Sequence, residues 1–303
     1  MDQHVSNAKL TLKKNGKSFY WAGKFLPSAY IDRASELYQF CRVLDDIADS
    51  GERGSLQKLK KIKSNFINYK ELKFKNNYNL KYPSFFNIYS KKAATHLIDG
   101  LILDQSTVLF KEEEELIQYS YYVAGTVGLM MCDALNCENQ DAYLFAIDLG
   151  IAMQLTNIAR DVLEDAKMGR RYIPGSWINN ISPNAMIQGV NDNNTEIFRT
   201  VSFGIKKLLN LAEKYYYSGT QGLIFLPLKT RIAISIASGV YRQIGIQLKL
   251  KNYCWYNGRQ VTSNITKAKV TFFKIIEEFV RNKNKKNHDP ELHRFLKEII
   301  VSE

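Results

Sequence analysis

From Ile151 to Val162 the apolar residues fall at Ile151, Leu155, Ile158 and Val162, the spacing of one face of an α-helix. The polar residues keep the same period. Gln154, Asn157, Asp161 and Asp165 follow one another at steps of 3, 4 and 4, so they stack along a second face. Ala159 and Leu163 make the opposite side apolar too, and no glycine intervenes before Gly169. The pattern predicts a long helix buried over most of its circumference. A row of two carboxylates and two amides on such a helix is costly unless it faces a wet cavity, a metal ion or a cationic partner.

Residues 32–49, DRASELYQFCRVLDDIAD, repeat the design. Leu37, Cys41, Leu44 and Ile47 or Ala48 form the apolar stripe; Tyr38, Arg42, Asp45 and Asp49 form the polar one; Gly51 and Gly54 end the helix. Each stripe therefore closes on an Asp-x-x-x-Asp pair. Elsewhere the pattern predicts a basic leader, a short apolar segment at residues 17–21 stopping near Pro27, and a Lys-rich amphipathic helix within 55–92 that gives way to a loop around Tyr82-Pro83. Helices are expected at 85–103 and 112–131, the latter with Glu112–Glu115 in its first turn, where the helix dipole favours them. In that second helix Ala124, Gly125 and Gly128 permit close helix approach. An Asn-rich loop is expected at 176–196, then helices at 196–218, 227–251 and 267–280. An aromatic turn at 252–259 separates the last two. After the polar tract 281–287, Asp289-Pro290 suits the cap and first turn of a last short helix. Strand alternation is nowhere convincing and no linker divides the chain. The expected architecture is all-α, one domain over residues 1–303 with a helical bundle around a central cavity.

Composition narrows the setting. In 303 residues, 45% hydrophobic and 12% aromatic content supports a sizeable core, and a formal net charge of +12 favours an anionic partner: nucleic acid, a membrane surface or a phosphorylated small molecule. Part of that excess is a Lys/Asn bias in stretches such as 60–81, where a solvated surface is explanation enough. Cys41, Cys132, Cys137 and Cys254 have neither CxxC spacing nor nearby histidines, so a zinc site or a disulfide framework is not expected and a reducing cytoplasm fits. The first residues lack the apolar stretch of a secretory signal, and Asp148, Gln154 and Asn157 interrupt the most apolar run, 143–159. Any membrane contact should be peripheral. His4, His96, His288 and His293 show no partners by spacing and receive no role.

An Asp pair at i, i+4 holds both carboxylates on one helix face, roughly 6 Å apart at the β-carbons. Mg²⁺ takes oxygen ligands, keeps several waters, and is usually held by one or two carboxylates together with substrate phosphates. Two such pairs facing each other across a cavity would hold Mg²⁺ ions that in turn hold diphosphates. Arg42, Arg160, Arg170 and Arg171 are candidates to meet the same groups, with Glu164 as a competing partner for Arg160.

These residues resemble a family. DDIAD (45–49) and NIARDVLED (157–165) are similar to the two aspartate-rich motifs of the squalene/phytoene synthases. The resemblance extends to GKSF (16–19), LYQFCRVLDDIAD (37–49), YVAGTVGLMM (122–131), DLGIAMQLTNIARDVLEDAKMGRRYIP (148–174) and RIAISIASGVYRQIG (231–245). The blocks stand in order over about 17–267, and bacterial phytoene synthases are the most similar branch. Gly16 departs from the pattern, since many relatives have Ser there, and the loop 176–196 has no specific match.

What the resemblance implies is an isoprenoid-synthase-type fold and a two-step reaction without redox chemistry. One geranylgeranyl diphosphate ionises with Mg²⁺ help, a double bond of the second attacks the cation, and prephytoene diphosphate forms. This intermediate ionises, rearranges and loses a proton to give phytoene. By the same match Asp45, Asp49, Asp161 and Asp165 would bind the Mg²⁺–diphosphate, with Asn157 as a further ligand. Ser18, Phe19, Arg42, Gln154, Arg160, Arg171 and Tyr172 would contact substrate or close the site. Tyr38, Tyr122 and Tyr241 would line the cavity near the reacting carbons. The match ranks Arg171 ahead of Arg170. Core packing is the plainer account of Tyr122 and Tyr241, and helix capping that of Ser18.

The implied cofactor is Mg²⁺, with Mn²⁺ as the alternative and no NADPH. The implied partners are prenyl diphosphates and a membrane met peripherally at its cytoplasmic face, not nucleic acid; oligomeric state stays open. Two other readings compete: a relative acting on C15 diphosphates to make presqualene diphosphate, squalene or dehydrosqualene, and a non-catalytic helical protein of the membrane surface. A reductive squalene synthase would need NADPH, and the chain has no GxGxxG fingerprint. Leu129, Met130, Met153 and Leu155 are candidates for the cavity floor.

Overall fold

The computed structural model describes residues 3–50, 54–68, 72–73, 79–282, 284–285 and 287–300. The apolar helix of the sequence pattern runs from Asp141 to Lys167. By length and composition alone it could cross a membrane, but 67% of its most apolar window is buried inside the protein. The other helices pack around it. In chain order they are α1 (Gln3–Asn15), α2 (Lys17–Gly23), α3 (Ser28–Asp49), α4 (Ser55–Ile67), α5 (Ile88–Leu103), α6 (Glu113–Ser120) and α7 (Thr126–Ala134). The central helix is α8, followed by α9 (Pro183–Asn191), α10 (Thr195–Gln221), α11 (Leu228–Leu250), α12 (Asn264–Val280) and α13 (Lys297–Ile300). Strand pairing among the described residues is limited to Leu72–Lys73 antiparallel to Asn79–Leu80 and an isolated parallel bridge between Leu109 and Arg171.

α8 packs against α7, α9, α10 and α11. It meets α7 backbone to backbone, where a side chain on Gly128 would strike the Ala146 carbonyl and one on Gly150 the Ala124 carbonyl. Two glycines thus let the backbones touch. The two largest apolar clusters among the described residues follow from this packing. One joins α8 and α10 through Leu155, Ile158, Val201, Ile205 and Leu208. The other joins α3, α4, α5 and α7 through Leu37, Leu44, Leu59, Leu97 and Met130. The cavity lies between them.

Several expected elements change form. The 112–131 helix is three pieces, because residues Tyr121–Gly125 form a wider π turn between α6 and α7. The 176–196 loop contains α9: Ser182 caps it by accepting from the Ala185 N–H, and Pro183 occupies the first turn, where a missing N–H costs nothing. The leader is a helix, α1, whose Ala8 and Leu12 are buried. It packs on α3. Ser18 caps nothing, since Gly16 is the residue before α2. Gly16 lies against the Tyr38 ring and Leu12, so a serine there would need both side chains to shift slightly. The C-terminal stretch begins as expected, with the Asp289 side chain accepting from the Glu291 N–H ahead of a short 3₁₀ turn.

Candidate active site

The cavity has a volume of about 350 Å³. On α8 its wall is Ala142, Ala146, Leu149, Gly150, Met153, Gln154 and Asn157, the i, i+3, i+4 stripe of one helix face. At a rise of 1.5 Å per residue that wall is about 22 Å long. Tyr38, Cys41 and Asp45 face it from α3, and Ile234, Ala237 and Tyr241 face it from α11. Asp45, Gln154 and Asn157 mark the polar end, whereas Cys132, Cys137, Ala142 and Leu226 mark the apolar end. Of the four residues expected to shape the floor, only Met153 lines the cavity; Met130 and Leu155 are sealed in the core.

Phe19, Tyr38 and Tyr241 gather at the polar end. α2 delivers Phe19, whose ring stacks on Tyr241 at 4.9 Å and lies 6.5 Å from Tyr38. Burial pushes the Tyr38 hydroxyl up to about 12 and raises that of Tyr241 as well, so both stay protonated at neutral pH. Ser18 is one residue from Phe19 and does not line the cavity.

The carboxylates of the two stripes feel one another. Asp45 is pushed up to about 7, first by burial and then by Asp49; Asp165 is pushed up to about 8 by burial and then by Asp161. Asp104, which sequence reasoning missed, acts on both and is itself raised by burial. Asp104 follows α5 directly and accepts hydrogen bonds of 2.8 Å from the Tyr119 and Tyr172 hydroxyls. Tyr172 is therefore committed to Asp104 and lies outside the cavity wall. A lone Asp after a helix carries no pattern to read, and only the fold brings it between the motifs.

α8 departs from helical geometry at Asp161, with φ −104° and ψ 15°, a sparsely populated conformation. Its carboxylate is gripped from two sides. Arg160 donates from Nε at 2.7 Å, and Arg259, also unforeseen, approaches from the aromatic turn with its Nε at 2.8 Å. Arg160 thus pairs with its neighbour Asp161 rather than with Glu164, and it also lies against Tyr241. Arg42 pairs with Asp46 at 2.6 Å, and its buried Nε has no hydrogen-bond partner among the described residues. The buried Oδ1 of Asn157 has none either, although its amide nitrogen reaches Gln154 Oε1 at 3.3 Å.

The two adjacent arginines exchange their expected places. Gly169, at φ 74°, turns the chain back after α8, and the Arg170 N–H donates to the Asp165 carbonyl. The Arg170 guanidinium then reaches the Asp104 carbonyl at 3.2 Å and stands 4.0 Å from Asp49. Arg171 is buried, and its guanidinium donates to the carbonyls of Ile181 and Phe110 at 3.1 and 2.9 Å. It ties the 171–181 segment to 108–110 and contributes no free charge to the cavity. Tyr122 is also displaced from its expected position. The π turn rotates it onto Gly100 and His96 of α5, while its neighbours Val123 and Ala124 line the cavity.

The histidines acquire partners that spacing concealed. His96 meets the Tyr121 hydroxyl at 2.9 Å. His288 and His293 point their Nε2 atoms at the two oxygens of buried Asp148, at 2.8 and 2.7 Å, and Ser218 donates to the same carboxylate. His4 lies where no side chain is described.

The squalene/phytoene synthase family model matches residues 12–269. The 15-cis-phytoene synthase of Pantoea ananas is 30% identical over 272 residues, covering 86% of this chain and 87% of the relative. The phytoene synthase of Rhodobacter capsulatus is 31% identical over 254 residues, covering 80% and 72%. Among solved structures, a dehydrosqualene synthase in complex with ligand superposes with a TM-score of 0.73 at 24% identity, over 90% of this chain and 95% of that one. A squalene synthase from Alicyclobacillus acidocaldarius gives 0.66 at 15% identity, over 83% and 95%.

Proposed function

The chain belongs to the squalene/phytoene synthase family, and on that premise we propose that it is a phytoene synthase, joining two geranylgeranyl diphosphates head to head. One observation carries the reading: a single cavity, apolar along most of its wall, ends at two acidic helix stripes. An apolar chain with a diphosphate head fits such a space end to end. The names of the curated relatives support the C20 substrate.

The donor set fits a divalent cation. Asp45 and Asp165 hold protons too tightly because each is buried beside other acids, and the Asn157 Oδ1 is a buried oxygen without a donor. Asp45, Asp49, Asn157, Asp161 and Asp165 would hold Mg²⁺, or Mn²⁺ in its place. The ion supplies the positive charge that a departing diphosphate needs. Arg42 and Arg170 bring guanidiniums to the same end of the cavity, where they bind diphosphate oxygens. Arg160 and Arg259 balance the charge of Asp161 and can transfer to the diphosphate as it arrives. The ring faces of Phe19, Tyr38 and Tyr241 orient the reacting carbons and attract a transient carbocation. Met153, Val127 and Leu97 keep water from it.

Purified protein incubated with geranylgeranyl or farnesyl diphosphate and Mg²⁺, with and without NADPH, tests the reading by product analysis. A C40 product from the C20 substrate without NADPH is expected. A C30 product from the C15 substrate alone would move the function to the squalene branch. No product from a folded sample would overturn the enzymatic reading. Asp161→Asn should lower turnover by about a hundredfold or more with helicity intact, as expected when charge at the reacting diphosphate is lost.

A further inference from the structure

α12 turns its aromatics outward. Its inward face is mixed: Lys267, Thr271 and Glu278 are buried, and Val270 and Ile275 pack against Ala22, Ile236 and Val240. Trp21 of α2 donates to the Thr271 hydroxyl at 3.0 Å, and Glu278 pairs with Arg231 at 3.1 Å and Arg281 at 2.6 Å. Its outward face carries Ile265, Ala268, Phe272, Ile276 and Phe279 at helical spacing, with Phe273 and Val280 beside them. Ile265 is 83% exposed, Phe272 61% and Phe279 68%. Val261 and Leu250, both strongly exposed, extend the apolar surface in sequence beyond the helix start. The inward side already docks α12 on α2 and α11, so the fold itself makes no use of the exposed aromatics. A patch of this kind marks a surface meant to be covered.

We propose that the outer face of α12 is the surface by which the protein lies on an anionic lipid membrane. Exposed Lys249 and Lys251 flank Leu250 in sequence, and exposed Lys269 lies on α12 itself. The one exposed acid on the helix, Glu277, is paired with Lys274 and Arg281. The charge is complementary to lipid phosphates, and aromatic and aliphatic side chains above a basic rim suit the headgroup boundary. A second copy of the chain fits less well. A 17-residue helix presents a ridge about 25 Å by 10 Å, far below the roughly 800 Å² per partner of a stable interface. Residues 292–296 do not compete for this role. His293 and Leu296 are buried, the Leu292 carbonyl accepts from Tyr215, and the Phe295 carbonyl accepts from Gln118. The face also has a route to the cavity: α2 sets Trp21 on α12 and Phe19 at the cavity's polar end, two residues apart.

Co-sedimentation of the full chain with vesicles, in the absence of substrate, tests this on the surface alone, so failure of the proposed reaction would leave the result standing. Vesicles of phosphatidylcholine with phosphatidylglycerol should bind the protein, more weakly as salt rises. Phe272→Ser with Phe279→Ser should reduce binding by about tenfold or more while circular dichroism and turnover in detergent stay unchanged. A second variant, Lys249→Glu with Lys269→Glu, should weaken binding to the anionic vesicles only. Unchanged binding in both variants, or no binding by the natural chain, would overturn the proposal. So would a dimer that the Phe272/Phe279 variant splits, which would assign the face to a second copy.

Discussion

Asp45 and Asp165 differ from ordinary carboxylates because burial removes water while the nearest charges are other acids. Their folded-state values, about 7 and about 8, stand above those of an unfolded chain. The sign follows from linkage. Below about pH 4 both states are protonated and nothing is lost; between there and about pH 8 the unfolded chain ionises more readily, so the metal-free fold weakens as pH rises. Protein stripped with EDTA should therefore melt about 5 °C or more lower at pH 8.5 than at pH 5.5, and Mg²⁺ should reverse the loss at the higher pH. A melting curve flat in pH would mean that the two acids are solvated. The neighbouring arginines separate by measurement too. Arg171→Ala removes a buried clamp on two carbonyls and should cost about 2–4 kcal/mol of stability, with KM unchanged in what remains folded. Arg170→Ala should leave the melting point nearly unchanged and raise KM about tenfold, the effect of one lost charge-assisted contact.

The helices themselves are readable because they obey one period over many residues. α3 and α8 appear where their stripes predict, and their polar rows do converge on one cavity end. Contacts that close over long sequence distances leave no such trace. Asp104 and Arg259 carry no repeating pattern, and neither does the Asp148 hub, whose partners lie 70 to 145 residues away. Pro183 reads as a breaker until Ser182 is seen to cap a helix that starts on it. Tyr122 departs from its expected place through a single wide turn, which shifts the facing of every side chain in it. The same long-range logic gives a prediction for α12. Glu278 is fully buried between Arg231 and Arg281, joining α12 to α11 and to the chain that follows. Glu278→Gln would leave two guanidiniums short of a counter-charge and should destabilise the protein by about 3–5 kcal/mol, read by denaturant unfolding. Arg231→Met combined with Glu278→Leu should recover most of that loss, because only Arg281 then loses a partner and it keeps Glu277 and the Thr220 carbonyl.

At the scale of the molecule the cavity is a ruler laid along α8, and its two ends do different work. The polar end, around Asn157 and Asp45, fixes where a diphosphate can sit. The apolar end, closed by Cys132, Cys137, Ala142 and Leu226, fixes how long a chain can follow it. Both cysteines and the alanine are small, so the cavity extends as far as this end, where larger residues would shorten it. Ala146 stands on the same wall one turn nearer the polar end, and a phenylalanine there would remove about 6 Å of the roughly 22 Å of wall, one turn of helix. The new ring enters space that is already empty, so the usual cost of overpacking a filled core should be small. Ala146→Phe should therefore lower turnover of the C20 diphosphate at least about tenfold while a C15 diphosphate, one prenyl unit shorter, is used as well as before or better. Product chain length in competition between the two substrates measures the outcome directly. If C40 product persists unchanged, the chain does not run along α8, and the end near Cys132 and Cys137 is not what sets its length.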